Sequence, residues 1–288
     1  MADATDYTTD DLICTCISRQ VRDGEVLAQG IATPLVAAGY LLAKHTHAPY
    51  VTFASAIGNV LCQKAAPLGL TRVEELWLGQ ALCYLDFAQI VCDLLPRLTP
   101  KEFFRPAQVD PFGQFNNVVI GDYYHPRLRL PGCGGIADVT VFSPVVYLYV
   151  PGHSRAVFVE KLDFVSGLGV PTPDRPGQRP GPRLLISDLG VFDFAVGRMR
   201  LRSYHRGVPI EKIQQKTGFA LEIDPDLHET PPPSVEEVRL LREVIDPLGI
   251  RELERMSGAR RRPRMRELVR QEKTADTGRV GNDRPKSL

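Results

Sequence analysis

Long apolar runs are missing: no stretch approaches the roughly 20 consecutive apolar residues that a bilayer span requires. A basic-then-apolar leader is missing too, since acidic and hydroxyl side chains open the chain, and the expectation is a cytoplasmic protein with no membrane contact. Cysteine is scarce. The six thiols, Cys14, Cys16, Cys62, Cys83, Cys92 and Cys133, show no CxxC spacing, which argues against a structural zinc site and leaves no metal expected. Most of them sit among apolar neighbours and read as small core hydrophobes in a reducing compartment. An excess of either charge is also absent. With 35 basic against 34 acidic side chains the net charge is +1, so nothing draws the whole molecule to nucleic acid or an anionic membrane. No repeat of period 20 to 50 is visible, which removes solenoids and propellers.

What is present is an ordinary soluble composition. At 288 residues and 43% hydrophobic, the chain can bury a sizeable core as one large α/β domain or two small ones. The most informative segment is Gly121 to Asp138, which places Gly132, Gly134 and Gly135 within four residues, directly before an apolar, strand-like run. Glycines permit positive φ and let a ligand approach the backbone, so such a loop can aim N–H groups at an anion. A plain tight turn is the competing reading of any such cluster. Cys133 lies inside the loop, either as a turn residue pointing away or as a thiol acidified by nearby N–H donors.

Hydrophobic periodicity alternates between helical and extended signals. Asp10-Asp11 caps a helix over 12–21, Glu25 to Gly30 reads as a short strand, and Thr33-Pro34 starts a helix over 35–44. The β-rich run 50–55 follows, so Gly30 and Ser55-Ala-Ile-Gly58 fall at strand ends, where ligands gather on parallel sheets. A helix over 76–95 buries Phe87, Ile90, Val91 and Leu94; Asp110-Pro-Phe-Gly113 turns the chain; 139–150 and 155–159 are expected as strands. The segment 169–182 is a Pro/Gly-rich loop, 183–203 a meander, 210–217 a short helix, and Ser234 caps a helix over 235–245. Residues 1–257 are expected to form one domain. From residue 258 onward ten Lys or Arg stand against four Asp or Glu with few large apolar residues, so 258–288 is expected as a mobile basic tail and not as a nucleic-acid site.

The segments Asp110-Pro-Phe-Gly113, Ile120-Gly-Asp-Tyr-Tyr-His-Pro126, Gly132-Cys-Gly-Gly135, Lys161-Leu-Asp163 and Thr217-Gly-Phe219 together resemble β subunits of the family I coenzyme A-transferases, in order and over about residues 7–247. The resemblance implies an open, largely parallel α/β sheet with flanking helices. It also implies an α subunit of related fold, in a heterodimer or α2β2 heterotetramer, and an active site in the cleft between the two chains. No cofactor is implied beyond coenzyme A carried by the substrate.

One departure from that pattern bears on the chemistry. The transferases attack the acyl-CoA carbonyl with a Glu after the Ala-Pro strand; aligned through Ala48-Pro49 and Gly58, that position holds Ala56, whose methyl group cannot attack a thioester. Ser55 and Asn59 offer no visible base. The resemblance still assigns Gly134 and Gly135 to the thioester oxyanion and Gly132 and Cys133 to the same loop. Ser55, Ala56, Ile57 and Gly58 would line the pocket, and His125 or Arg127 would meet a substrate carboxylate or the CoA phosphates. His125 as a structural turn residue is the alternative. Phe158 to Gly169 and Ser187 to Phe194 also resemble a hydrolase branch that opens steroid rings as CoA thioesters with a Glu from the α subunit. The expected reaction is therefore hydrolysis or carbon–carbon cleavage, with CoA transfer or a scaffold role as alternatives.

Overall fold

The computed structural model describes residues 2–28, 33–55, 60–70, 81–144, 146–172 and 181–280, with side chains to 274. The first helix, α1 (Thr9–Ser18), starts one turn earlier than expected because Thr8 is the cap. Its hydroxyl accepts from the Asp11 amide while the Asp11 carboxylate accepts from the Thr8 amide, so Asp11 closes a capping box. Helix α2 (Pro34–His45) carries proline in its first turn, where its missing N–H costs nothing.

Between and after these helices run β1 (Val26–Ala28), β2 (Thr52–Ser55), β3 (Val60–Cys62) and β4 (Ala81–Tyr84), hydrogen-bonded in that order. A second sheet comprises β5 (Glu102–Phe104), β10 (Val146–Val150), β11 (Pro182–Ser187), β12 (Gly190–Asp193), β13 (Arg200–Tyr204) and β14 (Glu222–Glu229). The two are welded. Leu27 bridges Lys101 in parallel, with the Ala28 amide donating to the Lys101 carbonyl and the Lys101 amide to that of Val26. The order is then β4-β3-β2-β1-β5-β10-β11-β12-β13-β14, and the middle strands β2, β1, β5, β10 and β11 are all parallel. The flanks are antiparallel up to β13, which pairs in parallel with β14. This is the α/β class that the alternation implies, with parallel pairing concentrated at the centre.

One face of the sheet packs Phe53, Phe103, Tyr147 and Tyr149 against α1, α2 and the C-terminal segments. The other face carries Phe104, Val146, Leu148 and Val150 against Phe115, Phe158 and Val139. Short hairpins β6 (Gln108–Val109) with β7 (Phe115–Asn116) and β8 (Val119–Gly121) with β9 (Pro126–Arg129) lie outside the main sheet.

Several expectations need correction. The run after the glycine loop is a helix, α4 (Ile136–Phe142), with Val139 N–H donating to the Gly135 carbonyl and Ser143 N–H to that of Val139. Its β-branched residues favour a strand, but burial of Val139 and Thr140 on one helical face overrides that preference. Residues 155–159 form a turn, since the Val157 and Phe158 amides both donate to Ser154 and only Phe158 bridges another strand, at Val109. In the 76–95 span, 81–84 is the edge strand β4, and helix begins near residue 87 as a π-helical turn (Gln89–Leu94) running into α3 (Leu95–Leu98). Ile90 is buried there as expected, whereas Phe87 is 61% exposed. Cys14, Cys16 and Cys62 are buried; Cys83 and Cys92, on this exposed margin, are not.

Helix α5 (Ile210–Lys216) and α6 (Val235–Arg239), which continues as a π-helical turn (Leu240–Ile245), match the expected helices, and the Ser234–Glu237 capping box starts the latter. A 3-10 turn (Ile250–Glu254) follows. Where a mobile tail is expected, the chain is helical, as α7 (Gly258–Val280). Leu268 is buried in the α1/α2 core and the Glu272 carboxylate accepts from the Leu70 amide, two contacts that composition does not reveal.

Candidate active site

The glycine loop stands open. An added Cβ at Gly132, Gly134 or Gly135 would meet no atom within 4 Å, and φ is +107° at Gly132 and +84° at Gly135. Positive φ at both ends of the loop is what glycine supplies at no steric cost. The Gly132 amide is used internally, donating to the Asn117 carbonyl at 3.0 Å, and the Ile136 amide turns back to Cys133. The amides of Cys133, Gly134 and Gly135 have no acceptor among the described residues. Three successive unpaired donors at a half-exposed turn form a cradle for an oxyanion or a carbonyl oxygen. Cys133 is itself half-buried.

A polar lattice holds this loop. Asn117 accepts from the Ala107 amide through its side chain at 2.8 Å, donates its own amide to Ser166 Oγ at 2.9 Å, and receives the Gly132 amide on its carbonyl. Next to it, fully buried Asn116 donates to Gln108 Oε1 and to the Val119 carbonyl. Asp163 Oδ2 accepts both from Gln108 Nε2 at 2.9 Å and from the Gly121 amide at 3.0 Å, tying the Lys161-Leu-Asp163 segment to the β8–β9 hairpin. Sequence reasoning did not single out Gln108, Asn116 or Asn117; they flank the Asp110-Pro-Phe-Gly113 turn, where Asp110 Oδ1 accepts from the Phe112 and Gln114 amides.

The hairpin projects from the molecule. Every residue of β9 is exposed, and Tyr124 at its tip is 82% exposed. Asp122 Oδ1 accepts from the Tyr124 and His125 amides, so the His125 backbone does serve a turn, while its imidazole remains exposed. Tyr123 stacks on Phe164 and lies under the Arg129 guanidinium at 4.9 Å. Arg127 forms no ion pair among the described residues. The hairpin that carries His125 and Arg127 runs through Leu130 and Pro131 straight into the glycine loop.

Ser55 closes β2 opposite Val60 and is buried. Ala56, Ile57 and Gly58, as well as Gly30, lie outside the described residues. The link between Ser55 and the glycine loop is α4: Phe142 at its end packs into the cluster of Ala54, Ile90 and Leu95. At 1.5 Å rise per residue, α4 spans only about 10 Å between that cluster and Gly135.

Two histidines that could be mistaken for catalytic groups are structural. His153 Nδ1 meets Ser187 Oγ at 3.1 Å and Nε2 meets Thr217 Oγ1 at 2.9 Å, its ring stacked on Phe158 at 3.6 Å. Burial, with nearby Lys216, pushes its pKa down to about 3. His205, bonded to the Ser187 carbonyl and Thr230 Oγ1, is pushed down to about 4, chiefly by burial. Both are neutral at physiological pH. Among the described residues no group of three or more His, Cys, Asp or Glu could hold a metal ion, and no helix is long and apolar enough to cross a membrane.

No protein-family profile matches the sequence. Individual proteins do. The β subunit of glutaconate CoA-transferase from Acidaminococcus fermentans is 31% identical over 265 residues, covering 86% of this chain and 96% of that protein. The crystal structure of that enzyme matches with a TM-score of 0.75 at 27% identity, over 85% of this chain and 97% of the other. The structure of the decarboxylase AibA/AibB matches equally well, with a TM-score of 0.75 and 28% identity over 86% and 98% of the two chains. The cholesterol ring-cleaving hydrolase IpdB subunit of Rhodococcus jostii is 34% identical over 152 residues, 51% of this chain and 60% of that protein. With relatedness extending over nearly the whole of a curated relative, and an open amide loop standing beside the parallel centre of the sheet, this chain belongs to the coenzyme A-transferase family as a β subunit.

Proposed function

We propose that this chain pairs with an α subunit of the same family, and that the pair acts on an acyl-CoA thioester by hydrolysis or carbon–carbon cleavage. The observation that carries this reading is an intact cradle for the thioester oxygen combined with alanine at position 56. The cradle can stabilise a developing oxyanion through Gly134 and Gly135, each good donor lowering the barrier by about 3 kcal/mol. Ala56 offers no atom that could form the covalent acyl intermediate on which CoA transfer depends. Water becomes the nucleophile, and the base that activates it comes from the partner. The 34% identity to the ring-cleaving hydrolase subunit, over the stretch it covers, supports this direction.

In this reading the thioester oxygen sits on the loop amides, Ser55 and the residues that follow it line the pocket, and Arg127 and His125 on the hairpin face the carboxylate or phosphate groups of the substrate. Coenzyme A enters as part of the substrate. The test is to co-purify the chain with its α subunit and measure release of free CoA with and without an acceptor carboxylic acid. Release that needs no acceptor is expected. Strict dependence on an acceptor, with a glutamyl-CoA adduct trapped by hydroxylamine on this chain, would overturn it. CoA transfer is the second reading, favoured by the greater coverage of the match to the glutaconate CoA-transferase chain.

A further inference from the structure

Among the described residues the buried carboxylates have partners, whereas one half-buried carboxylate in the middle of the sheet has none. Glu254 accepts from Tyr149 Oη at 2.8 Å, from the Leu35 amide at 2.9 Å and from Arg105 at 3.1 Å. Asp11 accepts from Arg242 and Arg251. Glu102, which opens β5 in the middle of the sheet, forms no hydrogen bond or ion pair among the described residues.

The strand register says where it points. Val146 pairs with Glu102, Leu27 bridges Lys101, and Ala28 pairs with Ala54, so Ala54, Ala28, Glu102 and Val146 stand level across β2, β1, β5 and β10. Phe103 turns to the α1/α2 face, where it stacks with Tyr147; Glu102 turns to the other, like Phe104. On that face two apolar clusters meet, one holding Ala54, Ile90 and Leu95, the other Phe104, Val139 and Val146, and Phe142 packs against both. Glu102 therefore lies in the seam between them, beneath the helix that begins at the glycine loop. At its level β1 and β2 present only the methyl groups of Ala28 and Ala54.

An unpaired ionised carboxylate costs several kcal/mol to bury, so such a group stays protonated to higher pH. Burial alone pushes the Glu102 pKa up to about 7, while the residue keeps some solvent contact. Of the titratable side chains around it, Tyr40 of α2 senses its charge; Lys101, Glu25 and Tyr147 belong to the opposite face; Asp138 of α4 and Cys92 and Asp93 of the π-helical turn are exposed.

We propose that Glu102 is the proton-transfer residue this chain supplies to the thioester reaction, giving its proton to the atom that leaves the acyl carbon. The proposal rests on the thioester reading of the site. Water adds to the acyl carbon and the bond from that carbon to the leaving atom breaks, its electron pair staying on the leaving atom. That atom takes the Glu102 proton, and the carboxylate regains one from the proton released by the attacking water. The sum is thioester plus water giving carboxylic acid plus the protonated leaving group.

The test uses the co-purified αβ complex with acetyl-CoA and glutaconyl-CoA as probes, following free thiol from about pH 5 to about pH 9. In the wild type kcat should fall as pH rises through the titration of Glu102. Glu102→Gln should lower kcat about 100-fold or more, leave KM and assembly unchanged, and abolish that limb of the profile. Glu102→Asp should slow kcat and keep the limb, and it decides the same point should the Gln variant fail to assemble. An assembled Glu102→Gln complex with wild-type kcat and profile, or a change confined to KM, overturns the assignment. If the wild-type complex neither releases thiol from either probe nor changes its acyl chain, the thioester reading itself fails and takes this role with it.

Discussion

Around α1 the molecule pairs nearly every charge it buries. Asp11 meets Arg242 at 2.8 Å and Arg251 at 2.7 Å, Arg251 also meets Asp246 at 2.9 Å, and Arg255 meets Asp10 at 3.2 Å. Burial pushes the Asp11 carboxyl up, but the Thr8 amide and the two guanidinium groups outweigh it and hold the pKa below the usual value. Around the glycine loop three amides have no acceptor and Arg127 no counter-ion among the described residues, and Tyr124 stands in solvent. The first region is complete within one chain. The second offers amide donors and a cation that no described residue satisfies, as a surface shared with a substrate and a partner chain would.

The contrast can be broken most violently from the clamp. Arg251→Ala leaves Asp11 and Asp246 buried without their common cation and should cost about 3 to 5 kcal/mol, read as a shift in the urea midpoint. A midpoint within about 0.5 kcal/mol of wild type would mean the clamp is ornamental. At the loop, Gly134→Val should reverse the pattern. An added Cβ there meets no protein atom within 4 Å, so the isolated chain should keep its stability while thioester turnover by the αβ complex falls about 100-fold or more. Turnover at wild-type rate would place the chemistry elsewhere.

Smaller effects sharpen the boundary between the two regions. Asn117→Ala removes one of the two acceptors of the Ala107 amide, which keeps the Asn116 carbonyl, and leaves the backbone carbonyl that holds Gly132 in place; it should destabilise by about 1 kcal/mol and change turnover little. Acid acts through His153. Its folded pKa lies below that of the unfolded chain, so below about pH 6.5 the unfolded state gains a proton the folded state refuses, and stability is lost as pH falls toward about 3, by up to about 1.4 kcal/mol per pH unit. His153→Gln should flatten that slope relative to wild type in urea titrations at about pH 7 and about pH 5. Tyr124→Ser should change the stability of the isolated chain by no more than about 0.5 kcal/mol, yet weaken assembly with the α subunit in sedimentation.

Much of the scaffold was legible because its signals are local. Ser234 with Glu237, Pro34 at the start of α2 and Asp110 at its turn each act over four residues or fewer, and each appears where the chain pattern puts it. The glycine loop was legible for the same reason, since positive φ at Gly132 and Gly135 is a demand on residue type. Where local preference competed with packing, the reading went astray. Val139, Thr140 and Val141 favour a strand and form a helix. The basic segment from residue 258 lacks the composition of a core element, and is held by Leu268 and Glu272 against partners nearly 200 residues or more away in sequence.

From its residues alone the chain disclosed the family resemblance, the alternation that yields an α/β sheet, the glycine loop and the alanine at position 56, because each is a matter of which side chain, or lack of one, stands at a given place. Only the folded molecule disclosed that the loop amides of residues 133–135 lack acceptors among the described residues, that Asn117 and Asp163 brace the loop and its hairpin, and that Glu102 lies beneath α4 in a seam where no described residue pairs with it. Those facts depend on contacts between segments distant in the chain. Burial, which sets both the cost of an unpaired carboxyl and the reach of a free amide, is a property of the neighbours that folding brings together.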